Sequence, residues 1–566
     1  MKGDATLQLE ASSSRFISPL RSGKTLSHQL DLQLSVSGSS TRTGSNERRV
    51  ELPKSLVRAL GASAVALAAL LTSGHASAGG PIADNGKPIT TSEYSLDLFQ
   101  GPLFAGSRVT SLGGAYVAIA EDVDGDLQNP AAPAVRPFFS YTHFDYWLGF
   151  GVTFPADLSN MDFFNSGSKT HVPNPPNSFV FFTPAVNLQW GEFAIGLNLA
   201  IQNYALSDPV AGERRGVTAT IPTTHLQIAR GFDHNQLVFG VGVRYISMTV
   251  NQPDEGGFLF RSSGPGFEFG GVWKPETLPL RLGVAYRTPI VTQASYSDRL
   301  LPNSNGDLVL KRADGSSIYL PKSVSSPWDL NFGFAVQFGA RPLNHRWRTD
   351  EELIKRQLLE RELRELDYEE DLQRSLSLAR TSAERTAAKN TYEKRIAAED
   401  RAAEVALLKV KTQIEKKLTD MNRFYVQVAG SMLLSGAVEN SVGVESLVNQ
   451  TVQRSGQHIV SSPRLGVEVG VLPNFLKLRA GTYLEPTRFD EAKPRMHATG
   501  GLDLKLLVWN VFGLWPDNYM WRLGLGFDGA RDYYTWGLTI AGWYPRHKDP
   551  ESVPDFTKGA KSPLDL

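Results

Sequence analysis

"FAIGLNLAIQ", residues 193–202, alternates without a break: Phe193, Ile195, Leu197, Leu199 and Ile201 fall on one side of an extended chain, and Ala194, Gly196, Asn198, Ala200 and Gln202 on the other. Successive side chains of a strand point to opposite faces, so this strand has one greasy face and one small or polar face. "LVFGVGVRY" (237–245) repeats the pattern, setting Leu237, Phe239, Val241, Val243 and Tyr245 against Gly240, Gly242 and Arg244. "LRLGVAYR" (280–287), "LGVEVGV" (465–471), "LKLRAG" (476–481) and "RLGLGFD" (522–528) follow it. In a soluble sandwich the greasy face is core and the other carries abundant charge and threonine. Here the second face is largely glycine with a few charges.

The same alternation recurs from about residue 138 to 545 and predicts fourteen strands, starting near 138, 178, 193, 217, 236, 265, 278, 323, 423, 460, 475, 496, 519 and 533. Their connections alternate in length. "GE" (191–192), "DHNQ" (233–236), "KPETLP" (274–279), "PN" (473–474) and "GLWPDN" (513–518) are tight, whereas 155–177, 207–216, 297–322 and 438–458 are long and rich in Pro, Asn, Asp and Ser. Short turns at one end, long loops at the other and an even strand count are the pattern of a barrel in the outer membrane of a Gram-negative bacterium. The expected fold class is therefore an all-β transmembrane barrel of about 14 antiparallel strands, strands 1–8 in 138–340 and strands 9–14 in 423–546.

Composition narrows the chemistry. The 566 residues carry 58 basic and 58 acidic side chains, so global charge gives no argument for a nucleic-acid partner, and any electrostatic function is local. Cysteine is absent, which removes disulfides, thiol nucleophiles and zinc–thiolate centres together. The one long apolar run, "ALGASAVALAALLTSG" (59–74), follows Lys54 and Arg58 and precedes Ala76-Ser77-Ala78. This is the pattern of a secretory signal peptide cleaved after Ala78. Residues 1–78 are read as leader and signal peptide, the first 50 being either a long unstructured leader or an overextended start. No later run approaches the ~20 apolar residues of a spanning helix, which leaves a closed barrel as the only way across a membrane. The last stretch, 547–566, reads as a polar tail.

One connection breaks the pattern. Residues 341–422 form an insert between the eighth and ninth strands, and from Thr349 to Met421 there is neither Gly nor Pro. Thr349-x-x-Glu352 is a capping box and Thr381-x-x-Glu384 offers a second. One helix of this length would reach ~110 Å, yet both ends return to neighbouring strands, so a periplasmic hairpin of two helices of roughly 50 Å each is expected. Leu359, Leu363 and Leu366 on one arm, and Ala403, Leu407, Val410, Ile414 and Met421 on the other, are expected to form its seam. Such an arm either packs on itself or docks a periplasmic partner through residues 349–421.

The stretch "GSRVTSLGGAYVAIAEDVDGDLQNPAAPA" (106–134) resembles the N-terminal signature of the FadL/TodX (OMPP1) outer-membrane family and of related PorV-like barrels. It carries the arginine (Arg108), the Gly113-Gly114-Ala115 turn, an alternating Ala/Val run, the acidic pair and then Asn129-Pro130-Ala131. "GPGFEFGGVWKPETLPLRLGVAYRTPI" (264–290) is similar to that family's paired mid-barrel strands, and Leu320-Pro321 ahead of "WDLNFGFAV" adds a weaker match. Ala132 stands where many members have glycine, and the helical insert is no part of the family pattern. The resemblance implies a fourteen-stranded barrel with an N-terminal hatch folded into the lumen. For the FadL branch it implies uptake of fatty acids or other small hydrophobic compounds, and for the PorV branch a scaffold or secretion-associated barrel.

A barrel of this width needs a plug, and residues 79–137 supply one. Arg281, Lys477, Arg479 and Arg522 fall on the inward face near the short-turn starts of their strands, with Arg244, Arg287 and Glu468 also inward. Glu121, Asp122, Asp124 and Asp126 are placed to meet such a basic floor through charge-assisted bonds. Asp122, Asp124 and Asp126 also mimic a calcium loop, but Leu127 and Pro133 stand where an EF-hand needs glycine and a bidentate glutamate, so no metal is assigned. His143 with Asp145, and His225, read as inward polar wall residues. Without a G-x-S-x-G or H-E-x-x-H pattern no catalytic residue and no cofactor are assigned, and the chain is read as no enzyme. The expected partners are outer-membrane lipid and a small hydrophobic ligand.

Overall fold

The computed structural model describes residues 82–99, 101–137, 140, 143–155, 161–167, 179–207, 216–252, 257–297, 300, 302–311, 317–347, 350–420, 423–490, 492–508 and 520–543. The leader and signal peptide, Thr349, Met421 and the tail 547–566 lie outside the described residues.

Seven strands come first: β1 (Phe144–Pro155), β2 (Phe179–Trp190), β3 (Phe193–Ser207), β4 (Gly216–Phe232), β5 (Leu237–Gln252), β6 (Gly257–Trp273) and β7 (Leu280–Arg287). Seven more follow: β8 (Asp329–Gly339), β9 (Tyr425–Ser435), β10 (Val460–Leu472), β11 (Leu476–Glu485), β12 (Arg495–Val508), β13 (Met520–Ala530) and β14 (Tyr533–Gly542). Each pairs antiparallel with the next, and β14 returns to β1, Ala541 opposite Gly149 and Thr535 opposite Pro155, so the sheet closes. Phe193, Ile195 and Leu197 are 50%, 41% and 44% exposed, while Ala194 and Asn198, on the opposite face, are buried. Apolar out and polar in is the reverse of a soluble core and the arrangement of a transmembrane barrel.

Three boundaries differ from the sequence reading. β1 starts at Phe144 rather than 138, which leaves His143 exposed at the rim instead of inward. β6 starts at Gly257 rather than 265, because pairing with β5 carries the Ser- and Gly-rich stretch 261–266 as strand. β8 starts at Asp329 rather than 323. Pro327, which lacks an N–H for the ladder, separates it from Ser323–Ser326. That short segment belongs to an inner five-stranded sheet in the order 454–455, 441–442, 95–97, 323–326, 290–293. Its central strand, Ser95–Asp97, pairs parallel with both neighbours. Residues 82–99 are thus woven among the long connections, and Tyr94, Leu96 and Val324 pack with Ile246, Val250 and Phe260 of the wall.

The insert forms α2 (Asp350–Leu378) and α3 (Ser382–Asp420), numbered after α1 (Ser107–Ser111). Between them Thr381 Oγ1 accepts from Glu384 N (3.2 Å) and Glu384 Oε2 accepts from Thr381 N (3.1 Å), a reciprocal cap. Ion pairs Arg361–Asp400 and Arg364–Glu399, each 2.6 Å, set the rotation of the arms. Ile354, Ala403 and Val410 are consequently buried and Leu407 is half-buried. The first-arm seam is a correction: Leu359, Leu363 and Leu366 are 43%, 55% and 47% exposed and face away from the second helix.

Candidate functional site

Residues 101–137 line the inner wall of the barrel, and the glycine face of the strands is what lets them lie there. A Cβ on Gly240 would stand 2.0 Å from Pro130 O, one on Gly283 2.2 Å from Val117 O, and one on Gly466 2.5 Å from Leu112 O. This segment, the expected hatch, turns at Gly113 (φ +59°) and Gly114 (φ +75°), a left-handed pair that follows α1. Gly113 also abuts Thr482, where a Cβ would meet the carbonyl at 2.7 Å. Glycine alone fits both demands. Ala115 is buried beyond the turn.

Charge is exchanged across the hatch–wall boundary in both directions. Hatch Arg108 donates to wall Glu468 (3.2 Å), which also takes Arg479 (2.6 Å) and the Tyr425 hydroxyl (2.7 Å). Hatch Glu121 accepts from wall Arg281 (2.8 Å), and hatch Asp124 accepts from wall Arg522. Asp122 lies 3.3 Å from Arg108 and 3.9 Å from Arg522, and its Oδ1 accepts from Asp124 N (2.9 Å), which holds Asp122 at φ +53°. Arg522 and Arg479 share Asp503 (2.9 and 2.6 Å), closing a continuous buried network.

Not every residue read from the sequence joins it. Asp126 makes no ion pair among the described residues; Asn187 Nδ2 donates to its Oδ1 (2.9 Å). Lys477 sits over the Trp543 ring at 4.7 Å instead of meeting a hatch acid. Arg287 binds Asp329 (2.9 Å) and Glu268 (3.4 Å), and reaches the hatch only at the Leu127 carbonyl (2.5 Å). Arg244 lies 3.9 Å from Asp329. Asn129 is pinned, its Nδ2 donating to Val117 O (2.8 Å) and Gly271 O (3.2 Å) while its Oδ1 accepts from Ala131 N (3.0 Å). Pro130 lies against Gly240 and Gly270. Asp145 accepts from Ser140 (3.2 Å), and His225 pairs with Glu268 (3.0 Å).

Two hatch carboxyls are tuned in opposite directions. Burial, then the neighbouring Asp124 charge, pushes Asp122 up against the pull of Arg522 and Arg108. Burial also disfavours the Glu121 charge, but Arg281 and Arg108 outweigh it and bring the carboxyl down to about 2. A raised carboxyl contributes stability that is complete at low pH and lost as pH climbs through the folded value. A lowered one contributes stability present above its ordinary value near 4.5 and lost as pH falls toward 2. Residues 101–137 are therefore held to the wall most tightly at mildly acidic pH. Bilayer recordings are expected to give least leak at about pH 5 and several-fold more at about pH 8, and Asp122→Asn to abolish that rise. A flat profile in the unmodified protein would remove this account.

The sequence reading missed Asp503 and a second buried chain. His497 holds Asp528 through Nδ1 and Glu485 through Nε2, both 2.7 Å, Tyr483 donates to Asp528 (2.6 Å), and Leu103 N of the hatch donates to Tyr483 (3.2 Å). Parity with Gly501 is the only sequence signal for Asp503. Also missed was a cavity of about 220 Å³ between hatch and wall. Phe104, Phe181, Ile221, Ile246 and Leu433 make one part of its lining, and Arg244, Arg287 and Arg464 another. The Nε atoms of Arg244 and Arg464 are buried without a hydrogen bond.

No family model matches the chain. No curated protein matches it either. Among solved structures it is similar to the CymD monoaromatic hydrocarbon channel, at 10% identity and a TM-score of 0.42, over 78% of this chain and 98% of that one. It is similar to the P. putida toluene transporter TodX at 11% identity and a TM-score of 0.40, over 78% and 99%. A Pseudomonas aeruginosa FadL homologue gives 11% identity and a TM-score of 0.39, over 78% and 97%.

Proposed function

We propose that this chain is an outer-membrane channel that takes up small amphipathic compounds, short fatty acids among them, with residues 101–137 as its hatch. Short turns mark the periplasmic end of such barrels, which supports reading the long connections and the inner sheet as external and the helical insert as periplasmic. The observation that carries the reading is the cavity. Its aromatic and aliphatic side accepts a hydrocarbon, and the lining arginines Arg464 and Arg244 accept an anionic head. At about 220 Å³ it holds some seven water volumes at roughly 30 Å³ each, which favours a small acid over a long chain.

Binding of hexanoate and of hexanol to the detergent-purified barrel tests this. Arg464→Gln is expected to weaken hexanoate about ten-fold, since a desolvated charge-assisted bond is lost, and to leave hexanol unchanged. Equal losses for both, or none for either, would count against a carboxylate head site.

A scaffold role is the second reading. It is favoured by the outward stripe of Leu359, Leu363 and Leu366, apolar side chains that the arm itself leaves uncovered. Excising residues 349–421 separates the two: uptake that survives while a co-purifying protein is lost assigns the arm to docking.

A further inference from the structure

The chain that leads into the helical insert is fastened to the barrel. Between β8 and α2 the chain follows the short-turn rim, with Leu343, Asn344, His345 and Trp347 buried. Asn344 fastens it to the β6–β7 turn, the two N–H groups of its Nδ2 shared among the carbonyls of Pro275 (3.0 Å), Leu278 (3.0 Å) and Leu280 (2.9 Å). Trp347 N donates to His234 O (2.8 Å) at the β4–β5 turn, and Arg346 pairs with Asp233 there (2.8 Å).

This strap also grips the hatch at two points. Arg281, 1% exposed, divides its donors between them: Nε to Asn344 Oδ1 (2.8 Å) and Nη2 to Leu343 O (2.9 Å) on the strap, Nη1 to Ile119 O (3.0 Å) and Glu121 (2.8 Å) on the hatch. Where the hatch leaves the lumen, the Arg136 guanidinium lies 4.1 Å from the centre of the Trp347 ring, and Lys274 Nζ donates to Arg136 O (2.8 Å). A guanidinium is a rigid fork. Strap and hatch cannot separate without stranding buried donors or the Glu121 carboxylate, so the position of one constrains the other.

We propose that residues 341–347 are a clasp coupling the helical arm to the hatch: a load or a bound protein on the arm acts through Leu343, Asn344 and Arg281 on Glu121 and loosens the periplasmic end of the hatch. This stands apart from the uptake reading and holds whether or not the cavity takes an acid. Coupling of this kind is reciprocal, so disturbing either side must be felt on the other.

Amide hydrogen exchange on the full-length barrel, with conductance beside it, tests the clasp. In Asn344→Ala/Trp347→Ala, exchange over hatch residues 115–128 is expected to rise about ten-fold, as for a lost set of buried hydrogen bonds, and the channel to leak. Arg230→Ala, which removes an exposed ion pair with Glu192 at the same rim but outside the strap, is expected to leave both unchanged. From the other side, Glu121→Gln is expected to speed exchange over 343–347. Heat-modifiable migration in SDS reports whether each barrel is assembled. Should the double variant fail to assemble, Asn344→Ala alone and Glu121→Gln carry the same comparison. Unchanged hatch exchange in the clasp variants, equal acceleration in Arg230→Ala, or an unmoved strap in Glu121→Gln would each overturn the proposal.

Discussion

Replacing Arg522 by alanine is expected to release the hatch. Its guanidinium binds hatch Asp124 and wall Asp503 (2.9 Å) and lies 3.9 Å from Asp122, in a site where all three carboxylates are buried. Removing one partner of a buried pair typically costs roughly 3–5 kcal/mol, because the remaining charge is left uncompensated. Here Asp124 loses the guanidinium it binds and Asp122 one of two, whereas Asp503 keeps Arg479 (2.6 Å). The loss therefore falls on the hatch more than on the wall. The expected result is a barrel that still migrates as folded when unheated but conducts continuously in bilayers. Asp122→Asn/Asp124→Asn, which deletes the charges in place of their partner, is expected to leak less than Arg522→Ala, since neutral amides do not repel one another. Unchanged leak in both variants would show that the hatch is seated by packing alone.

The sequence carried the barrel further than it carried the contents. Alternation such as that of 193–202 survives folding intact, because each strand is paired on both sides and each face meets a single environment, hydrocarbon or lumen. Ends were misplaced where Pro327 and the Ser/Gly run 261–266 interrupt the pattern: strand there is decided by a neighbour's hydrogen bonds, not by local propensity. The inner sheet was illegible, its members being only two to four residues long, too few for a period to show. Arg281 with Glu121 and Arg522 with Asp124 came together as parity and charge suggested. Asp503, Glu485 and Asp528 were passed over because an acid on a lumenal face looks like any other polar residue until its partners are placed. The Leu359, Leu363 and Leu366 stripe misled for a related reason. Heptad-like spacing names an apolar face without saying what faces it, and the ion pairs at Arg361 and Arg364 turn that face outward.

Glycine is where sequence and function meet most directly, and it gives the second large prediction. Gly240 and Gly283 lie on different strands, yet each faces a hatch carbonyl closely enough that a single added carbon would stand 2.0 Å from Pro130 O or 2.2 Å from Val117 O. The atoms in the way are backbone and have no rotamer to change. At Gly500, also in the barrel wall, the nearest atom to an added Cβ is 3.7 Å away, an ordinary contact. Gly240→Ala/Gly283→Ala is therefore expected to keep the strand pairing but push the hatch off the wall, at a cost on the order of 1–3 kcal/mol per site, while Gly500→Ala is tolerated. The measurement is protease accessibility of residues 101–137 in the intact barrel, together with conductance. Cleavage and leak in the double variant alone would place the seating of the hatch on these two close approaches. Protection equal to that of Gly500→Ala would mean that the wall yields around the new methyl groups, and that the charge network at Arg281, Arg522 and Glu468 suffices to hold the hatch against them.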